Sequence, residues 1–122
     1  MKRISLLLLV FALCSSFLTA TVNSDVVGTW LCKTDTDTVV EFKLNLFEKD
    51  GRLYGKYTAA KTEMILHYIR ILDDELRFQT ETQGLKIKYR ATVEGNEIKG
   101  TISTDDLTVN FTGLRENPVP KQ

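Results

Sequence analysis

Alternation of apolar and polar side chains is the feature that most restricts the fold of this chain. It is clearest over residues 85–93, where basic residues and a threonine separate five apolar ones: Leu85, Ile87, Tyr89, Ala91 and Val93. A period of two places successive side chains on opposite faces of a β-strand, so this segment is predicted to be a strand with one buried face. Similar alternation runs through residues 40–46 and 76–81.

Turn signals separate these segments at short intervals. Asp50-Gly51 is a strong hairpin signal, and residues 83–84 and 94–96 carry glycine turns of the same kind. Residues 73–75 and 105–106 end two further strands with adjacent carboxylates. Such short connections leave no room for the helical crossover that parallel strands need, so an antiparallel meander is predicted.

With residues 29–33 as the first strand, the pattern predicts eight strands. Eight antiparallel strands with one apolar face each either stack as two sheets or close on themselves, and closure removes both sheet edges. The predicted fold class is therefore all-β, an eight-stranded antiparallel up-and-down barrel, with an open sandwich as the alternative. The side chains predicted to face inward are Val40, Phe42, Leu44, Leu46, Leu53, Tyr57, Leu76, Phe78, Leu85, Ile87, Tyr89, Ile98, Ile102, Val109 and Phe111.

Residues 1–20 have the pattern of a secretory signal peptide. Lys2 and Arg3 precede an apolar run over residues 4–13, and Ala20 fits the last position before cleavage. That run would rise only about 15 Å as a helix, which is about half of a hydrocarbon core, so no membrane span is expected after cleavage. Bacterial lipidation at Cys14 is the alternative, although Leu13 is larger than the residue that normally precedes a lipidated cysteine.

The expected product is a secreted or periplasmic protein. Its predicted divisions are a signal peptide over 1–20, a linker over 21–25, a barrel domain over 26–116 and a flexible tail over 117–122. Without the leader, 14 basic and 16 acidic side chains give a net charge of −2, which argues against a nucleic-acid partner. Cys32 is then the lone cysteine, so the fold must hold by core packing, and its thiol is predicted to pack as a small hydrophobe.

Gly28-Thr29-Trp30 at the start of the first strand, with Arg115 at the end of the last, resembles the calycin superfamily of lipocalins, fatty-acid-binding proteins and avidins. Residues 49–55 and 93–101, where a short strand with glycine follows a turn, are similar to small secreted lipocalin-like domains of bacteria. The resemblance implies that Arg115 packs across Trp30 and closes one end of the barrel. The chain lacks the disulfide that lipocalins often have, and its one tryptophan argues against biotin.

The resemblance also implies a non-catalytic protein that binds a small apolar or amphipathic ligand inside the barrel. Tyr57, Tyr89 and Thr80 would orient that ligand by hydrogen bonds. The alternative is a barrel filled by its own side chains, acting as a protein-interaction module such as an inhibitor or a cell-envelope accessory protein. The candidate ligand-binding residues are Phe42, Leu44, Tyr57, His67, Phe78, Thr80, Tyr89 and Phe111.

His67 is the single histidine, and it lies in a segment, residues 62–72, that is apolar on both faces. If Ile65, Ile69 and Ile71 face inward, His67 does too, and it could then ligate haem iron or act as a general base. No His and Cys cluster has metal-ligand spacing, so neither a metal nor a cofactor is expected. Adjacent carboxylates at a turn do not converge across a cleft, so no catalytic residue is assigned.

Lys86, Lys88 and Arg90 form a basic stripe on the outward face of residues 85–93. Two interpretations apply to it. The stripe either pairs across strands with acidic side chains near residues 77–81, which the spacing favours, or it binds a polyanion.

Overall fold

The computed structural model describes residues 20–118. Residues 1–19 of the predicted signal peptide, with Cys14, and residues 119–122 of the predicted tail lie outside this range. Within it the chain forms one short helix, α1 (Asn23–Val26), followed by strands. The strands are β1 (Gly28–Thr34), β2 (Glu41–Lys49), β3 (Arg52–Ala59), β4 (Thr62–Ile65), β5 (His67–Leu72), β6 (Glu75–Thr82), β7 (Leu85–Glu94), β8 (Glu97–Ser103) and β9 (Thr108–Arg115).

These strands form one antiparallel sheet in the order β4-β3-β2-β1-β9-β8-β7-β6-β5. The first and last strands pair with each other, with Trp30 opposite Arg115, so the sheet curves round on itself. Its two edge strands, β4 and β5, are consecutive in the chain, and they lie against β6 and β3 respectively. The all-β up-and-down barrel is therefore confirmed as a nearly closed barrel, with nine strands in the described range rather than eight.

The additional strand arises because residues 62–72 change partner. β4 pairs with β3, whereas β5 pairs with β6, and Leu66 lies between the two. The ladder of β3 and β4 ends where Leu66 N donates to Gly55 O over 3.0 Å. Beyond that bond, no backbone hydrogen bond joins β3 to β5 in the part of the chain that the structure describes. We call this interruption of the barrel wall the seam.

A bulge follows the change of partner. The register of β5 on β6 shifts between His67 and Arg70, and Tyr68 has a φ of 55°. A bulge places two successive residues on the same side of the sheet, so the inward phase moves by one position. Leu66 is buried before the bulge, and Ile69 packs against the core after it. This shift explains why the segment is apolar on both faces.

The strand connections alternate between two ends of the barrel. The turns β2–β3, β5–β6 and β7–β8 lie at the end that α1 covers, which we call the closed end. Asn23 Nδ2 in α1 donates to Gly51 O over 3.1 Å, and Thr21 N donates to Asp74 Oδ1 over 3.0 Å, so the segment is tied to two of these turns. Val26, the last residue of α1, is fully buried. The connections β1–β2, β3–β4, β6–β7 and β8–β9 lie at the opposite, open end.

Most of the predicted inward set lies in the core or packs against it, but Val40, Leu85 and the partly buried Val109 do not. Val40 is 45% exposed and Leu85 is 44% exposed. Val40 precedes β2, and Leu85 is the first residue of β7 after a turn, so both lie at the rim of the open end where no neighbouring side chain covers them. Alternation assigns a side to a residue but does not show where the barrel wall stops.

Candidate functional site

Trp30 closes the barrel at the end covered by α1. It is fully buried, and its Nε1 donates to Val26 O over 2.9 Å. The guanidinium of Arg115 lies over the indole, with Cζ 4.2 Å from the ring centroid. A cation–π contact of this kind contributes about 0.5–2 kcal/mol. The predicted closure by Trp30 and Arg115 has the expected geometry.

Arg115 also joins three segments by hydrogen bonds. Its Nη2 donates to Asp25 O over 2.9 Å and to Gly95 O over 3.2 Å, while Nη1 donates to Val27 O. Gly28 has a φ of +136°, and a Cβ there would lie 2.7 Å from Arg115 Nη1. Glycine is therefore required before Thr29-Trp30 both for its backbone conformation and for the space that the guanidinium takes.

The barrel interior brings together seven of the eight candidate ligand-binding residues. Phe78 stacks on Tyr89 with 4.6 Å between ring centroids, and Phe42 stacks on Tyr57 at 5.1 Å. Tyr57 and Tyr89 are 6.3 Å apart, so the rings form a continuous row across the interior. The buried members are Phe42, Leu44, Phe78, Thr80, Tyr89 and Phe111, while Tyr57 is half-buried.

The polar atoms in this row are largely satisfied from within the barrel. The hydroxyls of Thr80 and Tyr89 are hydrogen-bonded to each other over 3.2 Å. Burial raises the pKa of Tyr89 to about 12, and the bond to Thr80 opposes that shift. Burial also raises the pKa of the Tyr57 hydroxyl and takes that of the Cys32 thiol to about 12. Cys32 is thus a protonated core residue, as its prediction as a small hydrophobe requires.

His67 is not an interior residue, and its inclusion in the candidate set is wrong. The bulge at Tyr68 turns both residues outward, so His67 is exposed on the barrel wall while Ile69 and Ile71 pack against the core. Within residues 20–118, no three His, Cys, Asp or Glu side chains are grouped so that they could hold a metal ion. In the same range no helix has the length and apolar character needed to cross a membrane.

Both ends of the barrel have buried and partly buried inward side chains, but the open end also has strongly exposed apolar ones. Near α1, Trp30, Leu46 and Ile98 are at most 1% exposed. Near the open end, Ile87, Ile102 and Tyr57 pack against the core but are only partly buried. An apolar rim surrounds them, and its members are Val39, Val40, Leu85 and Leu107, each 44–63% exposed. We refer to Tyr57, Ile87 and Ile102 with this rim as the mouth.

No protein-family model and no curated protein matches this sequence. Two solved structures are similar to it in fold. Fatty-acid-binding protein 1 of Echinococcus granulosus has a TM-score of 0.53 and 15% identity, with 77% of this chain and 99% of that chain covered. The two proteins share an antiparallel β-barrel fold. A redesigned β-barrel has the same TM-score at 12% identity, covering 81% of this chain and 100% of its own. At these identities the likeness concerns the fold alone.

Two parts of this barrel were missed as candidate sites from the sequence. Ile87 and Ile102 were predicted to face inward but were not placed at an opening. The signal was present, because connections in a meander alternate between the two ends of a barrel. Arg70 and Arg77 were not singled out either, since only the strand register shows which outward side chains are neighbours.

Proposed function

We propose that this chain is a secreted or periplasmic, non-catalytic barrel that binds a small apolar or amphipathic ligand at its mouth. The observation that carries the proposal is the difference between the two ends. The closed end is sealed by Trp30 beneath Arg115, whereas the mouth leaves apolar side chains partly in water. A soluble protein gains free energy when a ligand covers such a surface, at roughly 25 cal/mol per Å².

The chemistry of the mouth supports an apolar ligand with at most a small polar group. Ile87 and Ile102 offer no hydrogen bond, and Tyr57 supplies the one hydroxyl among the residues that define the mouth. The row of rings behind it supplies an apolar floor that can exchange ring–ring contacts for ring–ligand contacts. The fold neighbour named as a fatty-acid-binding protein is consistent with a ligand of this class.

Titration with Nile red, an uncharged apolar dye, tests the proposal. We expect saturable binding of one dye per barrel, because the chain offers one mouth. Ile102→Gln should raise the dissociation constant for the dye about tenfold, because a polar amide replaces an apolar contact. Ile65→Gln is the matched control, since Ile65 is 65% exposed on the outer wall. Equal affinities of the two variants would rule out the mouth as the binding site.

A protein-interaction module is the second candidate function, and the contacts between interior rings favour it. Aromatic rings in stacked or tilted pairs already occupy the barrel interior, and they belong to Phe42, Tyr57, Tyr89 and Phe78. In that case the dye shows no saturable uptake, and the mouth or another outer surface contacts a macromolecule instead. The Nile red titration of the unmodified protein therefore separates the two functions.

A further inference from the structure

Three arginines lie side by side on the outer face of β5, β6 and β7. Arg70 is directly opposite Arg77, and Arg77 is directly opposite Arg90. Like charges opposite each other destabilise a sheet. Lys88 adds a fourth cation two residues from Arg90, opposite the uncharged Gln79. The expected pairing of the basic stripe with acidic side chains holds for Arg90, which binds Glu75 on β6. Lys86 is opposite Glu81 and Lys88 is opposite Gln79, and neither lysine forms an ion pair within 4.0 Å among the described residues.

Two of these arginines bind the carboxylate of Glu75. Its Oε1 accepts from Arg90 Nη2 at 2.7 Å and from Arg77 Nη2 at 3.0 Å. The hydrogen bond from Arg90 is the main reason that the pKa of Glu75 lies below its usual value. One carboxylate oxygen thus serves two guanidinium groups. Within residues 20–118, no carboxylate is within 4.0 Å of the charged nitrogens of Arg70 or Lys88.

A shallow pocket of about 210 Å³ opens above this row. It is lined on its polar side by Tyr68, Arg70, Arg77, Gln79, Lys88 and Arg90, and no carboxylate is among its lining residues in the described range. The Nε of Arg77 is buried and has no hydrogen-bond acceptor among the described residues. A buried donor without a partner requires an explanation, and an acceptor bound from outside the protein is one such explanation.

We propose that this pocket binds an oxyanion of the phosphate or sulfate class, either free or as part of a lipid headgroup. The argument rests on charge and shape together. Guanidinium groups bind such anions by paired N–H···O bonds, and several guanidiniums around one centre suit a tetrahedral group better than a flat carboxylate. The volume accommodates one such group, and Tyr68, 67% exposed at the edge, can contact whatever carries it. This site is independent of the mouth.

Titration with inorganic phosphate, followed by backbone and Gln79 side-chain amide resonances, tests the site. Sodium chloride at equal ionic strength is the reference. We expect saturable shifts at residues 77–79 and 88–90 with phosphate and none that saturate with chloride. Arg70→Gln should weaken binding about tenfold, because it removes one charge-assisted hydrogen-bonding group. Lys99→Gln is the matched control, because Lys99 is exposed on β8 outside the pocket.

A vesicle experiment separates the two sources of the anion. Co-sedimentation is compared for phosphatidylcholine vesicles with and without phosphatidylglycerol. Retention only on the anionic vesicles, lost in Arg70→Gln, assigns the site to a headgroup, whereas saturable phosphate binding without retention assigns it to a free anion. Lys88→Gln repeats the test if Arg70→Gln loses native chemical shifts elsewhere. The proposal is overturned if neither ligand binds, or if Lys99→Gln weakens binding as much as Arg70→Gln. Ile102→Gln should leave phosphate binding unchanged.

Discussion

Arg115 shows how much of this fold depends on single side chains. It contacts the Trp30 ring and donates hydrogen bonds to carbonyls at both α1 and the β7–β8 turn. This pair was expected from the resemblance to calycins, and the pairing of the first strand with the last places Trp30 opposite Arg115. The additional bonds to backbone could not be predicted, since they depend on where α1 and the turn come to rest.

Replacing Trp30 with alanine should lower the free energy of unfolding by about 3–5 kcal/mol, as expected for removal of a fully buried Trp side chain. Urea denaturation provides the measurement. Because the mouth is at the opposite end, Nile red affinity of the variant that remains folded should be unchanged. A folded variant that no longer binds the dye would show that Trp30 belongs to the ligand site.

The raised pKa of the buried Cys32 thiol implies that the free energy of unfolding depends on pH in the alkaline range. Its pKa is raised by burial from 9.0 to about 12, so the folded protein keeps a proton that the unfolded chain loses. The stabilisation is complete below pH 9 and is lost progressively as the pH rises towards 12. Urea midpoints across this range should fall less steeply in Cys32→Ala than in the unmodified protein. Parallel pH profiles would contradict this assignment.

At the scale of elements, period-two patterns predicted the strands that keep one inward phase throughout. In β6, Leu76, Phe78 and Thr80 alternate with outward residues and are all buried. Residues 62–72 could not be resolved in this way, because a bulge shifts the phase inside the segment, and both faces are apolar as a result. The direction of His67 was therefore open in the sequence and is settled by the position of that bulge.

The bulge makes a prediction about backbone strain. Tyr68 has a φ of 55°, a conformation that costs a residue with a Cβ about 1–2 kcal/mol. Tyr68→Gly should therefore leave the free energy of unfolding unchanged or raise it by up to about 1 kcal/mol. Tyr54→Gly, at an exposed position inside β3, should lower it by about 1 kcal/mol. Equal losses in urea denaturation of both variants would show that Tyr68 is not strained.

At the scale of the whole molecule, the proposed function includes export, which the signal-peptide pattern of residues 1–20 predicts. Expression of the full chain in a bacterium with a periplasm should yield a mature protein that begins at Thr21. Intact-mass spectrometry of the periplasmic fraction measures this directly. A lipid-modified species beginning at Cys14 would instead support the lipoprotein alternative. Cleavage before Thr21 would remove Lys2 and Arg3 and leave a net charge of −2, in contrast with the cationic row on β5, β6 and β7.

The seam has a mechanical consequence for the whole barrel. Around most of the circumference, unbroken ladders fix the spacing between strands at about 4.8 Å. Between β3 and β5 no such ladder is formed in the described range, and a groove of about 500 Å³ lies there instead. The barrel wall is therefore open along one line between β3 and β5 in the described range. Widening the barrel between β3 and β5 would break no backbone hydrogen bonds of a strand ladder among the described residues.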